Sequence, residues 1–472
     1  MSALAAAALL AGCAAPPQSR DAHVLKFNDG GKFRILQLTD THICWRDTLE
    51  YAGAYEQECW LLDTEKPDLV VYTGDVVTGT PAEPAWADFL KPCDERGIPF
   101  VVVLGNHDRE QDMTEQQIAG AVMTHPMSLN TASQGWLDDL AIEIRSSDGG
   151  RAAAMLYCMD SGDYTQSPQV DCKYGWIRSD QAEWYREKSG AAAAANSNVP
   201  LPSYAFFHIP LTEYPEAFDA GDIVSGVRGE EGGHSSLNSG LLAAFVEQSD
   251  VHAAFVGHDH VNDYVVTRDG VSLVYGRFSG RNTTYHSLPY GARLVELSED
   301  DYGFRTWIRE YRGDCVQCDT VSVDADYSLK KAVPALKRVH GLERRTLVGE
   351  FSSLEDCLSG ECSCVDTVAS PYMPKTDTCG CHARVLTGKL CVPETGVWYF
   401  HVTGYDSATL SIDDWTVSGR KRFQGAVGLE EGCHDFKVVL LNSRESERMR
   451  VQWRPLRSPR YQDIPEERFF VE

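Results

Sequence analysis

Five short polar strings carry side chains that could do chemistry together: Asp40-Thr41-His42, Gly74-Asp75, Gly105-Asn106-His107-Asp108, His208, and Gly257-His258-Asp259-His260. Carboxylate, amide and imidazole groups are the donors of a mixed oxygen and nitrogen metal site. His107 beside Asp108 is also a titratable ring next to a carboxylate, a pairing suited to proton transfer. Each string alone fits an ordinary turn as well. A D-x-H pair is common, and His208 taken singly reads as a core or turn histidine. Their shared context argues for chemistry.

That context is an apolar run ahead of every string. Lys32 to Thr39 (KFRILQLT) precedes Asp40, Asp68 to Tyr72 (DLVVY) precedes Gly74-Asp75, and Phe100 to Leu104 precedes Gly105. Ser203 to Phe207 leads into His208, and Val251 to Val256 into Gly257. Short apolar runs bounded by turn residues predict buried strands. Ala152 to Met159, Val271 to Tyr275, Ala292 to Leu297 and Gly303 to Ile308 read the same way. Between the strands, helices are predicted from Thr48 to about Lys66-Pro67, from Trp86 to Leu90, over Thr114 to Met123, over Asp180 to Lys188 and over Asn238 to Gln248. Ala191 to Ala195 reads as a fraying end. Strands alternating with helices predict a largely parallel or mixed sheet whose strand ends carry the site. His252, inside a strand, reads as a packed core residue.

The strings, in this order and each at a strand end, resemble the calcineurin-like metallophosphoesterase superfamily over residues 32 to 312. Phe207-His208-Ile209-Pro210 and the run from Gly257 to Tyr264 are similar to its purple-acid-phosphatase-related branch. The resemblance implies a four-layer α/β/β/α sandwich and an enzyme hydrolysing phosphate esters with a metal-activated water. It also implies roles. Asp40, His42 and His260 would hold one ion, Asn106, His208 and His258 the other, with Asp75 bridging. His107 would contact the phosphate or protonate the leaving oxygen, and Asp108 would orient its ring. Such a donor set suits two divalent or trivalent ions of iron, manganese or zinc rather than calcium. Purple enzymes carry a tyrosine three residues after the bridging aspartate; Thr78 stands there, so no iron-tyrosinate chromophore is expected. Tyr174, Trp176, Tyr264 and Tyr285 are candidate substrate contacts from their nearness in sequence to the motifs; packing is the competing role.

The chain has 472 residues, too long for one ordinary core, and a formal charge of −26 that disfavours nucleic-acid binding. An anionic substrate in so acidic a protein needs local cations, which metal ions supply. Ser2 to Ala11 is small and apolar, and Leu10-Ala11-Gly12-Cys13 resembles a bacterial lipobox, although no Lys or Arg precedes it. This implies export to the cell envelope, periplasm or surface, and a lipid on Cys13 as the membrane anchor.

Of fifteen cysteines, fourteen remain once Cys13 is set aside. A domain boundary between Cys172 and Cys315 divides them five and nine, and one between Cys318 and Cys357 seven and seven; both splits are odd, so either a disulfide crosses the domains or each side keeps a free thiol. Cys44 with Cys59, and Cys158 with Cys172, are the expected local pairs. A zinc at Cys315 and Cys318 with Cys362 and Cys364, or with Cys379 and Cys381, is the alternative.

The expected domains are therefore a leader and tether (1–20), a catalytic domain (21–319), a linker (320–340) and an all-β sandwich (341–472). In the last, Gly396 to Phe400, Ser411 to Asp414 and Leu429 to His434 resemble the protective-antigen-type module, often a glycan binder. The Asp-Asp pair of sugar-binding members has Tyr405-Asp406 in its place. Three readings follow: a phosphomonoesterase, a phosphodiesterase or nucleotidase, and a surface glycan-binding protein on a non-catalytic phosphoesterase scaffold.

Overall fold

The computed structural model describes residues 23–165, 169–170, 173–281, 288–323, 327–334, 339–349, 351, 353–372, 382–403, 407–418, 424–442 and 449–471. The leader with Cys13, and Cys172, Tyr285, Cys379, Cys381, Tyr405 and Asp406, lie outside them.

The apolar runs form β1 (Lys32–Leu38), β2 (Leu69–Thr73), β3 (Phe100–Val103), β4 (Ala152–Cys158), β5 (Ser203–Phe206), β6 (Val251–Val256) and β7 (Val271–Tyr275). β1, β2 and β3 pair in parallel, and the sheet continues antiparallel through β8 (Gly291–Ser298), β9 (Phe304–Glu310) and β10 (Cys315–Val321). β4 to β7 form the parallel centre of a second, eight-stranded sheet. Side chains alternate along these strands. Phe33, Ile35, Leu69, Val71, Val101 and Val103 meet Leu156, Tyr204, Phe206 and Phe255 between the sheets. Leu36, Leu38, Val70, Tyr72 and Val102 face outward, packing with Ala54, Leu61 and Leu62 of α1 (Thr48–Glu65). The other sheet's outer face is covered by α2 (Ser179–Ala195), α3 (Leu241–Gln248) and the helix Glu213–Ala220. The layers are α/β/β/α.

α2 runs on through Ala191–Ala195, where a fraying end was expected; alanine is the strongest helix former, and Ala193 is buried. The strand Leu140–Arg145 and the helix Glu213–Ala220 are additions to the expected elements, their patterns too short or too mixed to read.

The C-terminal region is an all-β sandwich. A sheet containing β11 (His382–Val392) and β14 (Gly432–Asn442) faces one containing β12 (Gly396–Thr403), β13 (Gln424–Leu429) and β15 (Arg450–Pro455). Leu386, Leu390, Phe400, Val427, Phe436 and Trp453 share the core between them. The expected linker is partly built into this domain: Leu329–Lys330 adds a strand beside β13, and Val333 bridges to Cys433.

The cysteine expectations need correction. Cys44 and Cys59 are unbonded, Cys44 lying against Gly79 in a loop and Cys59 within α1. Cys158 is an unbonded thiol in the core between the sheets. The disulfide found among the described residues, Cys391–Cys433, joins directly opposed positions of β11 and β14 and stays inside the sandwich. Cys315, Cys318, Cys362 and Cys364 are unbonded, and no metal-holding cluster among the described residues includes a cysteine.

Candidate metal centre

Asp40 and His42 follow β1, Asp75 follows β2, Asn106 follows β3, His208 follows β5, and His258 and His260 follow β6, all at C-terminal strand ends. The tight exits have a backbone signature. Asp40, His42, Asp75 and His258 have φ of 53°, 49°, 52° and 76°, left-handed values that cost an ordinary residue roughly 1–2 kcal/mol. Gly74 and Gly105 let the strand ends close on one another. A Cβ on Gly74 would lie 2.4 Å from His208 Nδ1, and one on Gly105 would lie 2.2 Å from Asp75 Oδ1.

These turns assemble two clusters that share Asp75: Asp40, His42, Asp75 and His260, and Asp75, His208 and His258. Within each cluster the ligand atoms lie within 4.8 Å of one another. Asn106 joins the second, with its Oδ1 3.2 Å from His208 Nε2. His208 Nδ1 donates to the Thr73 carbonyl at 2.7 Å, which turns Nε2 inward. His258 presents Nδ1, 3.3 Å from His208 Nε2. Asp75 is divided between two tasks. Its Oδ1 accepts the His107 backbone N–H at 2.8 Å, while buried Oδ2 accepts no hydrogen bond of good geometry. Oδ2 lies 3.5 Å from His42 Nε2 and 3.3 Å from His208 Nε2.

The residues present fit two metal ions. An unsatisfied buried carboxylate oxygen between two imidazoles is costly unless a cation uses it, and the nitrogen and oxygen donors are of borderline hardness. Without ions, protons partly compensate. Burial works against a charged His208, but the Asp75 carboxylate outweighs it and raises the imidazole to about 9. Asp75 is held well below its usual range: the His208 charge overcomes burial. Burial and the His208 charge push His258 down, so it is neutral and ready to ligate. Burial pushes Asp259 up to about 7; it accepts from Tyr275 Oη at 2.6 Å and Gly233 N at 2.9 Å, steadying the loop that carries both histidines.

Asp108 departs from expectation. It does not touch the His107 ring: Oδ1 accepts from Val76 N and Val77 N at 2.8 and 2.9 Å, and Oδ2 from Gly105 N at 2.8 Å. Neighbours in sequence on a one-turn helix point apart, and Asp108 is turned into the protein, where it braces the β2 and β3 exits. Burial, reinforced by the Asp75 charge, pushes it up to about 7 despite those three donors. The partner of His107 is Glu110, whose Oε2 lies 2.6 Å from Nδ1. The sequence signal was available, since three residues is one turn of the 3₁₀ helix His107–Arg109. Tyr174 packs its ring edge-on to His258 at 4.4 Å and stacks with Tyr164. Tyr264 is fully buried against Phe218 and Tyr275, a packing role, and Trp176 is half-buried.

Residues 33–262 match the calcineurin-like phosphoesterase family. The chain is 31% identical over 314 residues to an Arabidopsis thaliana protein named "Probable inactive purple acid phosphatase 14", covering 58% of this chain and 77% of that protein. It is 30% identical over 298 residues to "Probable inactive purple acid phosphatase 29" of the same plant, covering 56% and 76%. It is 26% identical over 338 residues to "Phosphatase DCR2" of Saccharomyces cerevisiae, covering 62% and 56%. With its ligand residues drawn from the ends of five parallel strands around a shared aspartate, the chain belongs to the calcineurin-like phosphoesterase family, among relatives of the purple acid phosphatases.

Proposed function

We propose that the protein is an exported hydrolase of phosphate esters that works with two ions of iron, manganese or zinc. The observation that carries this is Asp75 Oδ2, buried, accepting no hydrogen bond and common to both ligand clusters. When bound, the ions supply positive charge to the phosphoryl oxygens and lower the pKa of the attacking water. Asp40, His42 and His260 would hold one, Asn106, His208 and His258 the other. His107, with 39% of its side chain exposed at the edge of the cluster, contacts the phosphate or gives a proton to the leaving oxygen. Tyr164 and Tyr174, with the Lys173 ammonium 4.6 Å over the Tyr174 ring, offer an aromatic, cationic wall for the rest of the substrate.

The names of the plant relatives call those proteins probably inactive. Against extending that label here, every ligand side chain is present and turned to one place. Metal analysis followed by a panel of monoesters, diesters and nucleotides tests the reading: two ions and turnover are expected. A metal-loaded protein inert on the whole panel, yet retained by glycans through residues 341–472, would establish the rival scaffold reading.

The Leu10-Ala11-Gly12-Cys13 string and the Cys391–Cys433 disulfide support an oxidising, cell-envelope location with a lipid on Cys13. Cys13→Ser is expected to move the protein from the membrane fraction to the soluble one.

A further inference from the structure

A half-exposed imidazole can serve as a proton donor only if its ring is held, and Asp108, the carboxylate beside His107 in sequence, is fully committed to three backbone N–H groups. Glu110 takes that place. Its Oε2 lies 2.6 Å from His107 Nδ1, and its Oε1 accepts from Tyr164 Oη at 2.7 Å. The same Tyr164 oxygen accepts from Asn106 Nδ2 at 2.9 Å. An amide whose nitrogen is engaged there must point its oxygen the other way, and Asn106 Oδ1 does face His208 Nε2 at 3.2 Å. One carboxylate thus terminates a chain that fixes both the exposed imidazole and an amide ligand.

Burial raises Glu110, but the bonds from His107 and Tyr164 outweigh it and leave the group below its usual value, hence ionised. A carboxylate has no proton to give, so His107 Nδ1 is the donor, and Nε2 is the nitrogen left to face the cleft. The His107 ring centroid lies 5.4 Å from that of His42.

We propose that Glu110 is the positioning residue of this site. Its carboxylate locks His107 with Nδ1–H bound and Nε2 toward the phosphate, and through Tyr164 it aims the Asn106 oxygen at the metals. The assignment rests on the reading of the site as a phosphoesterase centre. The step uses the imidazolium form of His107, protonated at both nitrogens: as the P–O bond to the leaving group breaks, that oxygen takes the Nε2 proton and leaves the neutral Nδ1–H ring, and the consumed water releases a proton to bulk, from which Nε2 is reloaded. Nδ1–H stays with Glu110 throughout.

Glu110→Gln in the full-length, metal-loaded protein tests this with two esters that differ only in leaving group. On an alkyl ester, whose oxygen needs the proton, kcat is expected to fall about 10–100-fold. The p-nitrophenyl ester, whose leaving group departs as an anion, should change less than about threefold, with two ions retained. Tyr164→Phe is expected to weaken metal retention without changing the ratio between the esters. A readout independent of turnover is the ¹⁵N spectrum of the His107 ring in metal-free protein: Nδ1–H in the wild type, with the Nε2–H tautomer gaining in Glu110→Gln. Equal losses on the two esters, or an unchanged tautomer, would overturn the assignment and leave the site reading standing. A wild type inert on both esters with two ions bound would overturn both.

Discussion

The parallel strands β5 and β6 have two very different ends. At their C-terminal ends sit His208, His258 and His260, with their carboxylate partners in left-handed backbone. At their N-terminal ends the β-sandwich docks. Val199, ahead of β5, packs with Tyr327, Val397 and Leu456, and Ser249, ahead of β6, hydrogen-bonds Tyr399. Asn198 Nδ2 donates to the Thr395 carbonyl at 3.2 Å. A strand the length of β6 separates the two ends by roughly 20 Å. The metal end concentrates charge that ions must satisfy; the docked end is largely aromatic, and although His252 Nε2 is buried there without a hydrogen-bond partner, no carboxylate among the described residues stands beside it. A cavity of about 650 Å³ lies at the seam, but its walls are engaged, the Arg454 guanidinium lying 4.2 Å over the Tyr399 ring. A hollow of that size is therefore not by itself the better site. Chemistry follows unsatisfied polar atoms more closely than volume.

If the two ends are as separate as this, substitutions should sort cleanly. Asp75→Asn at the shared ligand is the largest expected effect: kcat falls by about 10³-fold or more and metal content falls with it, read by turnover and elemental analysis. Normal turnover in that variant would break the dinuclear assignment. His107→Ala comes next, slowing turnover by about 10²-fold with both ions retained. Metal loss there would make His107 a ligand instead.

Acid sharpens the contrast further. With its imidazole raised to about 9, His208 in the metal-free protein carries a proton that an incoming ion must displace. Apparent metal affinity should then climb about tenfold per pH unit through neutrality and level off near the raised value. Chelator competition between pH 6 and 8 measures the slope. A flat profile would mean that Asp75 does not hold a protonated His208.

The metal end was legible because a strand, a sharp exit and a ligand-type side chain leave a local imprint, and the imprint recurs at Asp40, Asp75, Asn106, His208 and His258. What failed was adjacency. Asp108 follows His107 in sequence yet points into the protein, whereas Glu110, a turn away, reaches the ring. Cysteine pairing failed for the same reason. Cys391 and Cys433 meet only because β11 and β14 are in register, and no spacing announces that. The seam was illegible altogether: Val199, Tyr302 and Val397 look like any other surface or loop residue until a second domain lies on them.

The smallest effect belongs to that seam. Tyr399→Phe removes the hydroxyl paired with Ser249 while keeping the ring under Arg454, so the loss is one hydrogen bond between domains, about 0.5–1.5 kcal/mol. Because Tyr399 is only half-buried, Ser249 can regain water, which favours the lower figure. Thermal unfolding should report a small downward shift, and kcat/KM should stay within about twofold, since sites this far apart are additive unless a shared element couples them. The shared element here would be β6, which begins two residues after Ser249 and ends just before the His258 exit. A tenfold drop in kcat/KM from so mild a change would show that β6 transmits the docking to the metal centre, and that the two ends act as one.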